Sequence, residues 1–140
     1  MSENSVEISP ARRGEGEVVG RLVHELICEL APEGRERPAL EEFERVAMRL
    51  LTEDFGYWAF LARDSSGEPI GVLTLNECAA TYARGRFGEI AELYVVPKAR
   101  SLDVGGALLR AAVGFGREHG WHHLEVGAPA VPRFQRTVGF

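Results

Sequence analysis

The segment from Glu89 to Leu109, E-I-A-E-L-Y-V-V-P-K-A-R-S-L-D-V-G-G-A-L-L, constrains this chain more than any other. An apolar run rich in β-branched and aromatic residues stops at Pro97, which has no N–H to give a ladder and so closes a strand. A short basic loop with Lys98 and Arg100 follows. Apolar periodicity then restarts at a helical spacing. Val104, Leu108, Ala111 and Phe115 form one stripe, Leu109, Ala112 and Val113 lie beside it, and Gly120 is a natural stop. This order sets the unpaired N–H groups and positive dipole end of a helix at the carboxyl end of a strand. Gly105 and Gly106 carry no side chain, which leaves two readings open. An anion can approach the backbone with Arg100 and Lys98 beside it, or the helix start can pack tightly on a sheet.

The rest of the chain supplies the partners. Val6 to Pro10 reads as a first strand. Val19, Leu22, Val23, Leu26, Ile27 and Leu30 follow the i, i+3, i+4, i+7 rule of an amphipathic helix, ended by Pro32 and Gly34. A second helix follows Pro38, with Leu40, Phe43, Val46, Ala47, Leu50 and Leu51 on its apolar side. Tyr57 to Arg63 and Ile70 to Leu75 read as strands joined by the turn cluster D-S-S-G-E-P, an antiparallel hairpin. Asn76 to Arg86 reads as a loop and Phe87 to Val96 as a fourth strand. Trp121 to Val126 reads as a fifth, and Pro132 to Val138 as a short last helix. The predicted order is β-α-α-β-β-β-α-β-α: an α/β fold with a single mixed, mostly antiparallel sheet flanked by helices.

With 140 residues the chain suits one domain over positions 1–140. A formal net charge of −5 argues against general affinity for DNA or RNA, which a basic excess would favour. The N-terminus lacks a basic region followed by an apolar run, so no signal peptide is expected. No apolar stretch approaches the ~18 residues of a membrane span. Cys28 and Cys78 match no metal or redox spacing and read as reduced thiols, which makes the cytoplasm the expected compartment. No metal site and no Ser/His/Asp or Cys/His set is recognisable among His24, His119, His122 and His123.

The segment resembles the acyl-CoA motif R/Q-x-x-G-x-G/A of the GCN5-related N-acetyltransferases, which follows a strand ending in V-x-P. Val95, Pro97, Arg100 and Gly105 fall in register, and F-Q-R-T-V-G-F at Phe134 to Phe140 is similar to the family's F-Y-x-x-x-G-F. The resemblance implies transfer of an acetyl group from acetyl-CoA to a primary amine by direct attack. The acceptor would be a small molecule or a protein. The backbone of Leu93, Tyr94 and Val95 would pair with the pantetheine arm where the fourth and fifth strands splay at a bulge. Arg100, Ser101, Leu102, Asp103, Val104, Gly105 and Gly106 would line the pyrophosphate loop. The Leu93 N–H is the candidate oxyanion donor, a role that needs a preorganised donor and no particular side chain. A carboxylate must take the amine's proton. Glu89 and Glu92 are the candidates, and alternation across a bulge does not choose between them. Asn76 and Glu77 read either as substrate contacts or as turn residues.

Three features depart from the family pattern. Asp103 stands at the usual first glycine, where its carboxylate either opposes a diphosphate or caps the following helix. Gln135 stands where many members carry an acidic tyrosine, and an amide is no general acid; Tyr82 and Tyr94 are possible substitutes. One or two further strands normally follow G-F. Their lack here would leave the fifth strand with an open edge, completed by a partner subunit in a homodimer or cut short in a truncated sequence. Two rivals follow: a catalytically silent acyl-CoA- or anion-binding module of the same fold, and an interaction protein assembled through that edge.

Overall fold

Strand-forming and helix-forming patterns alternate along the chain, and the elements appear in that order: β1 (Glu7–Pro10), α1 (Gly16–Leu30), α2 (Leu40–Thr52), β2 (Tyr57–Arg63), β3 (Pro69–Ala80), β4 (Gly85–Val95), α3 (Val104–Glu118), β5 (His123–Val126) and β6 (Arg136–Gly139). The computed structural model describes residues 5–31, 34, 36–127 and 136–139. Among these, one sheet runs in the order β1-β2-β3-β4-β5-β6. Every neighbouring pair is antiparallel except β4 and β5, which α3 joins as a parallel crossover.

Period-2 alternation gives the sheet two buried faces. On one, α3 lays Val104, Leu108 and Ala112 over Phe60, Ile70, Leu73, Leu75 and Ile90. On the other, α1 lays Val19, Leu22 and Val23 over Leu61, Val72 and Tyr94, with α2 alongside. The stripe read from sequence in α1 is its core face as far as Ile27, whereas Leu30, its last member, is exposed. Gly20 sets how closely α1 and α2 approach, because a Cβ there would lie 2.6 Å from the Glu44 Cα and the Phe43 carbonyl oxygen.

The β3–β4 ladder contains an extra residue. Thr74 pairs with Glu92 but Leu75 pairs with Ile90, so Ala91 is bulged. On its other side β4 pairs with β5 only at Gly88, Glu89 and Ile90. The Gly127 N–H closes that ladder on the Ile90 carbonyl at 3.0 Å. Beyond the bulge, Leu93 to Val95 have β3 on one side and, among the described residues, no paired strand on the other.

Three expectations change. The segment 76–86 is not a loop: β3 and β4 stay paired out to Ala80 and Gly85, and the turn is only Thr81 to Arg84. Two successive residues, Arg84 at φ 59° and Gly85 at φ 135°, allow that tight reversal, so polar residues that read as loop become a ladder. The short last helix is not formed over its C-terminal part, since Arg136–Gly139 is strand β6; residues 128–135, including Gln135, lie outside the described residues. β6 pairs with His123 to Val126 and satisfies the outer backbone groups of β5. The open fifth-strand edge, and the homodimer or interaction surface argued from it, therefore lose their structural basis.

Because backbone atoms face Gly20 on α2, adding a methyl there forces the helices apart. Gly20→Ala is expected to lower stability by about 1–3 kcal/mol, measured by urea unfolding. An unchanged transition midpoint would show that the α1–α2 contact adjusts freely.

Candidate functional site

The bulge at Ala91 governs the backbone geometry of the site. The Val96 N–H donates to the Ile70 carbonyl at 3.0 Å. Alternation along an antiparallel ladder then turns the N–H and C=O of Leu93 and Val95 away from β3, into the opening next to β5. The Leu93 and Val95 side chains pack toward α3, whereas the Tyr94 ring is buried against α1, so Tyr94 offers the opening no side chain.

At the end of β4 the chain enters a 3-10 segment, Pro97–Leu102, and then α3. Ala99 is buried and anchors the turn; Ser101 is exposed and Leu102 packs on the core. Asp103 takes the left-handed conformation at φ 56°, which Asp tolerates better than most residues. Its carboxylate does not cap α3. It reaches Arg110 at 3.0 Å instead and sits over Gly106, where a Cβ would lie 2.2 Å from its Oδ1. The N-cap expectation is thus corrected: the left-handed backbone carries the carboxylate past the cap position. The N–H groups of Val104, Gly105 and Gly106 remain free of a side-chain cap, as at any bare helix start. Val104 itself is a core side chain against Gly71, and above Gly105 the nearest atom to an added Cβ is the Val95 Cγ2 at 4.0 Å. Gly105 therefore has room for a side chain's first carbon in ordinary contact with Val95, and Gly106 accommodates the Asp103 carboxylate.

Arg100 is held rather than free. Its Nε donates to the Val95 carbonyl at 3.0 Å, and its Nη2 spans both Glu29 carboxylate oxygens at 2.8 and 2.7 Å. The guanidinium beside Glu29 holds that carboxyl below its usual range. Lys98, the other loop cation, bonds Glu68 at 3.0 Å.

The α1–α2 face of the sheet carries the acidic groups. One row across it pairs Tyr57 with Asn76, Asn76 with Glu89, and Glu89 with Glu125; the next pairs Ala59 with Thr74 and Thr74 with Glu92. Glu92 stands beside the bulge. The Thr74 hydroxyl donates to its carboxylate, and its own N–H donates to Thr74 Oγ1 at 3.1 Å. Burial pushes the Glu92 carboxyl above its ordinary range against the lowering effect of the Thr74 bond. Burial, and then the charge of Glu92, push the Tyr57 phenol up, so it stays a protonated donor. Thus the structure brings Glu89 and Glu92 to one face and sets Glu92 nearer the opening. Glu77 lies on the opposite face, where it accepts from the Trp121 indole at 2.7 Å and pairs with Arg86 at 3.3 Å. Its part is structural.

Sequence reasoning missed a second group on the same face. The Tyr82 hydroxyl donates to Glu125, the His123 Nε2 lies 3.3 Å from that carboxylate, and His123 stacks on Phe87 at 4.8 Å. No spacing rule joins a hairpin tip to β5; only Glu125, two residues after His123 on a strand, was visible as a same-face pair. Cys78 lies nearby, its thiol pushed up by burial and then by Glu89, Glu125 and Glu77, the wrong direction for a nucleophile. Among the described residues no three His, Cys, Asp or Glu groups converge as metal ligands, and no helix is long and apolar enough to cross a membrane.

Comparison with solved structures finds the same architecture repeatedly. A ribosomal-protein-alanine N-acetyltransferase from Brucella melitensis biovar Abortus 2308 is 23% identical with a TM-score of 0.72, covering 91% of this chain and 83% of that one. An aminoglycoside acetyltransferase from an uncultured soil metagenomic sample, solved with trehalose, is 19% identical with a TM-score of 0.70 over 90% and 79%. A predicted acetyltransferase with acetyl-CoA from Clostridium acetobutylicum is 16% identical with a TM-score of 0.72 over 92% and 84%. At these identities the likeness concerns the fold. No significant match is found among curated proteins. A family model described as the acetyltransferase (GNAT) family matches residues 21–140, which takes in α1 from Arg21 on, α2, the bulged β4, the loop and α3. This chain therefore belongs to the acetyltransferase (GNAT) family.

Proposed function

We propose that this chain is an N-acetyltransferase that moves an acetyl group from acetyl-CoA to a primary amine by direct attack, working as one domain over 1–140 in the cytoplasm. One observation carries the reading. Among the described residues the β4 backbone is unpaired toward β5 beyond Ile90, it leads straight to an uncapped helix start at Val104, and a half-buried carboxylate, Glu92, stands at the bulge between them.

These residues suit acyl-CoA. The Leu93 backbone groups and the Val95 N–H offer an extended amide chain the pairing that a strand would make, with Tyr94 fixing the ladder between them. Arg100, Ser101, Leu102, Asp103, Val104, Gly105 and Gly106 form the loop whose N–H groups would receive a diphosphate. Two contacts oppose it: the Asp103 carboxylate over Gly106, and the engagement of Arg100 with Glu29 and the Val95 carbonyl. Both involve exposed side chains that solvent screens. Arg100 can therefore exchange Glu29 for phosphate at modest cost and release Val95.

When bound, acetyl-CoA supplies an activated acetyl thioester. The chain's part is to hold charge and protons. The Leu93 N–H, fixed by the ladder, donates to the oxygen on which negative charge develops. Glu92 takes a proton from the acceptor ammonium; burial brings its basicity closer to neutral pH than that of a solvated carboxylate. Glu89, in register with Glu125, adds negative charge along the same face and is the second candidate for that proton. Tyr94 is an unsuitable general acid because its ring is buried against α1.

A silent acyl-CoA- or anion-binding module of the same fold is the second reading, favoured by Asp103 and by the held Arg100. Titration calorimetry with acetyl-CoA decides. Saturable binding in the micromolar range, about −8 kcal/mol, is expected; no heat at millimolar ligand sinks the proposal. Asp103→Gly should change the affinity by no more than about twofold, since Arg110 and solvent already offset that charge. A gain of about tenfold or more would instead point to the silent module.

Glu92→Gln is expected to lower kcat about 10²- to 10⁴-fold, with Glu89→Gln as the smaller-effect control; equal rates for wild type and Glu92→Gln would remove Glu92 as base. The same variant has a stability signature. The folded-state pKa of Glu92 lies above its unfolded value, so between the two the folded chain binds more protons. Stability is then lost as pH rises through that window, and the penalty is fully present above the folded-state pKa. Glu92→Gln should be the more stable protein at pH 7.5, with the advantage shrinking as pH falls through the folded-state pKa and gone below about pH 4. Denaturant melts at both pH values test this, and a variant less stable at pH 7.5 would contradict it.

A further inference from the structure

A cleft of about 420 Å³ opens between α1, α2 and the sheet. Its walls are apolar: Val23 from α1, and Phe43, Val46 and Leu50 from α2. Its floor is polar, made by Tyr57 and Glu92. Glu42 lies only at the exposed rim. Val46 is 45% exposed although it sits on the apolar side of α2, as a side chain at an open mouth would be. Glu92 precedes Leu93 in the strand, so the floor adjoins the N–H assigned to the oxyanion.

We propose that this cleft is the acceptor subsite, and that it takes a primary amine carrying an unbranched alkyl or phenylalkyl group. The inference rests on the acetyl-transfer reading above. Charge complementarity places the ammonium on the floor, where the half-buried carboxylate of Glu92 waits. The tail then lies along Phe43, Val46 and Leu50, where apolar burial favours it. A polycationic or heavily hydroxylated acceptor would leave polar groups against these walls without partners, which is costly. The separate group of Tyr82, His123 and Glu125 lies further along the face, and its polar atoms are already bonded to one another. In the reaction, the ammonium gives one proton to Glu92. The neutral nitrogen then forms the C–N bond as the C–S bond breaks. The second nitrogen proton ends on the departing thiolate, and Glu92 returns its proton to solvent.

The test uses the full chain with acetyl-CoA and follows thiol release with four acceptors: 2-phenylethylamine, hexylamine, ethanolamine and kanamycin. The two apolar amines should show kcat/KM about tenfold or more above the other two, the scale of discrimination an apolar pocket gives. Val46→Arg, a change at an exposed position that narrows the mouth and adds a like charge, should raise KM for the apolar amines about tenfold and leave the unfolding transition in place. Equal or better turnover of ethanolamine or kanamycin overturns the substrate class while acetyl transfer stands. If no amine is acetylated, the acetyl-transfer reading fails, and calorimetry with 2-phenylethylamine alone judges the cleft. Saturable binding weakened by Val46→Arg keeps the apolar-amine site, and absence of binding removes it.

Discussion

One extra residue in a ladder organises this molecule. By inserting Ala91, β4 changes its pairing with β3 between Ile90 and Glu92, and its pairing with β5 ends at Ile90. Two consequences follow from the same bulge. Backbone groups that a continuous sheet would consume are left facing an opening, and Glu92 is turned to the face where α1 and α2 meet. A regular strand would have put the side chains on either side of position 91 in strict alternation and closed the sheet. The cost is a local loss of ladder bonds, offset by the Thr74 hydroxyl, which accepts from the Glu92 N–H and donates to its carboxylate.

The two helical layers play unequal parts around that bulge. α3 is clamped: Val104 and Leu108 are fully buried against β3, so the helix start holds its position at the end of β4. α1 and α2 approach each other closely at Gly16 and Gly20, yet leave the sheet uncovered near Glu92. A rigid helix start and a shaped cleft on the other side of one strand suit the proposed two-substrate transfer, because such a reaction requires both partners in fixed alignment.

Electrostatics are arranged locally rather than by net charge. Arg100 bonds Glu29 and the Val95 carbonyl, Asp103 bonds Arg110, and Lys98 bonds Glu68. The loop that reads as basic in sequence is close to neutral in the folded chain. The carboxylates on the α1–α2 face are less compensated: Glu92 is held by a hydroxyl, and Glu89 lies beside Glu125. Most of these pairs were invisible in sequence because their partners sit 18 to 71 residues away. Asp103 and Arg110 are only seven apart, but the pair needs the left-handed backbone at Asp103.

Sequence alone determined the layers and the candidate loop. The stripes of α1, α2 and α3 and the boundaries of β2 and α3 were legible because helix and strand periodicities are properties of neighbouring residues. Its failures were equally physical. The hairpin extension through Ala80 and Gly85 depends on cross-strand bonds, and the strand at Arg136–Gly139 forms because β5 offers an edge. Neither is encoded in local pattern. The motif placed Asp103 at a helix start, but only the left-handed backbone sends its carboxylate to Arg110. The sequence likewise supplied both Glu89 and Glu92. Tertiary structure decided which of them lies at the bulge and is half-buried beside Thr74 and Tyr57, because register and burial are set by strands and helices far apart in the chain.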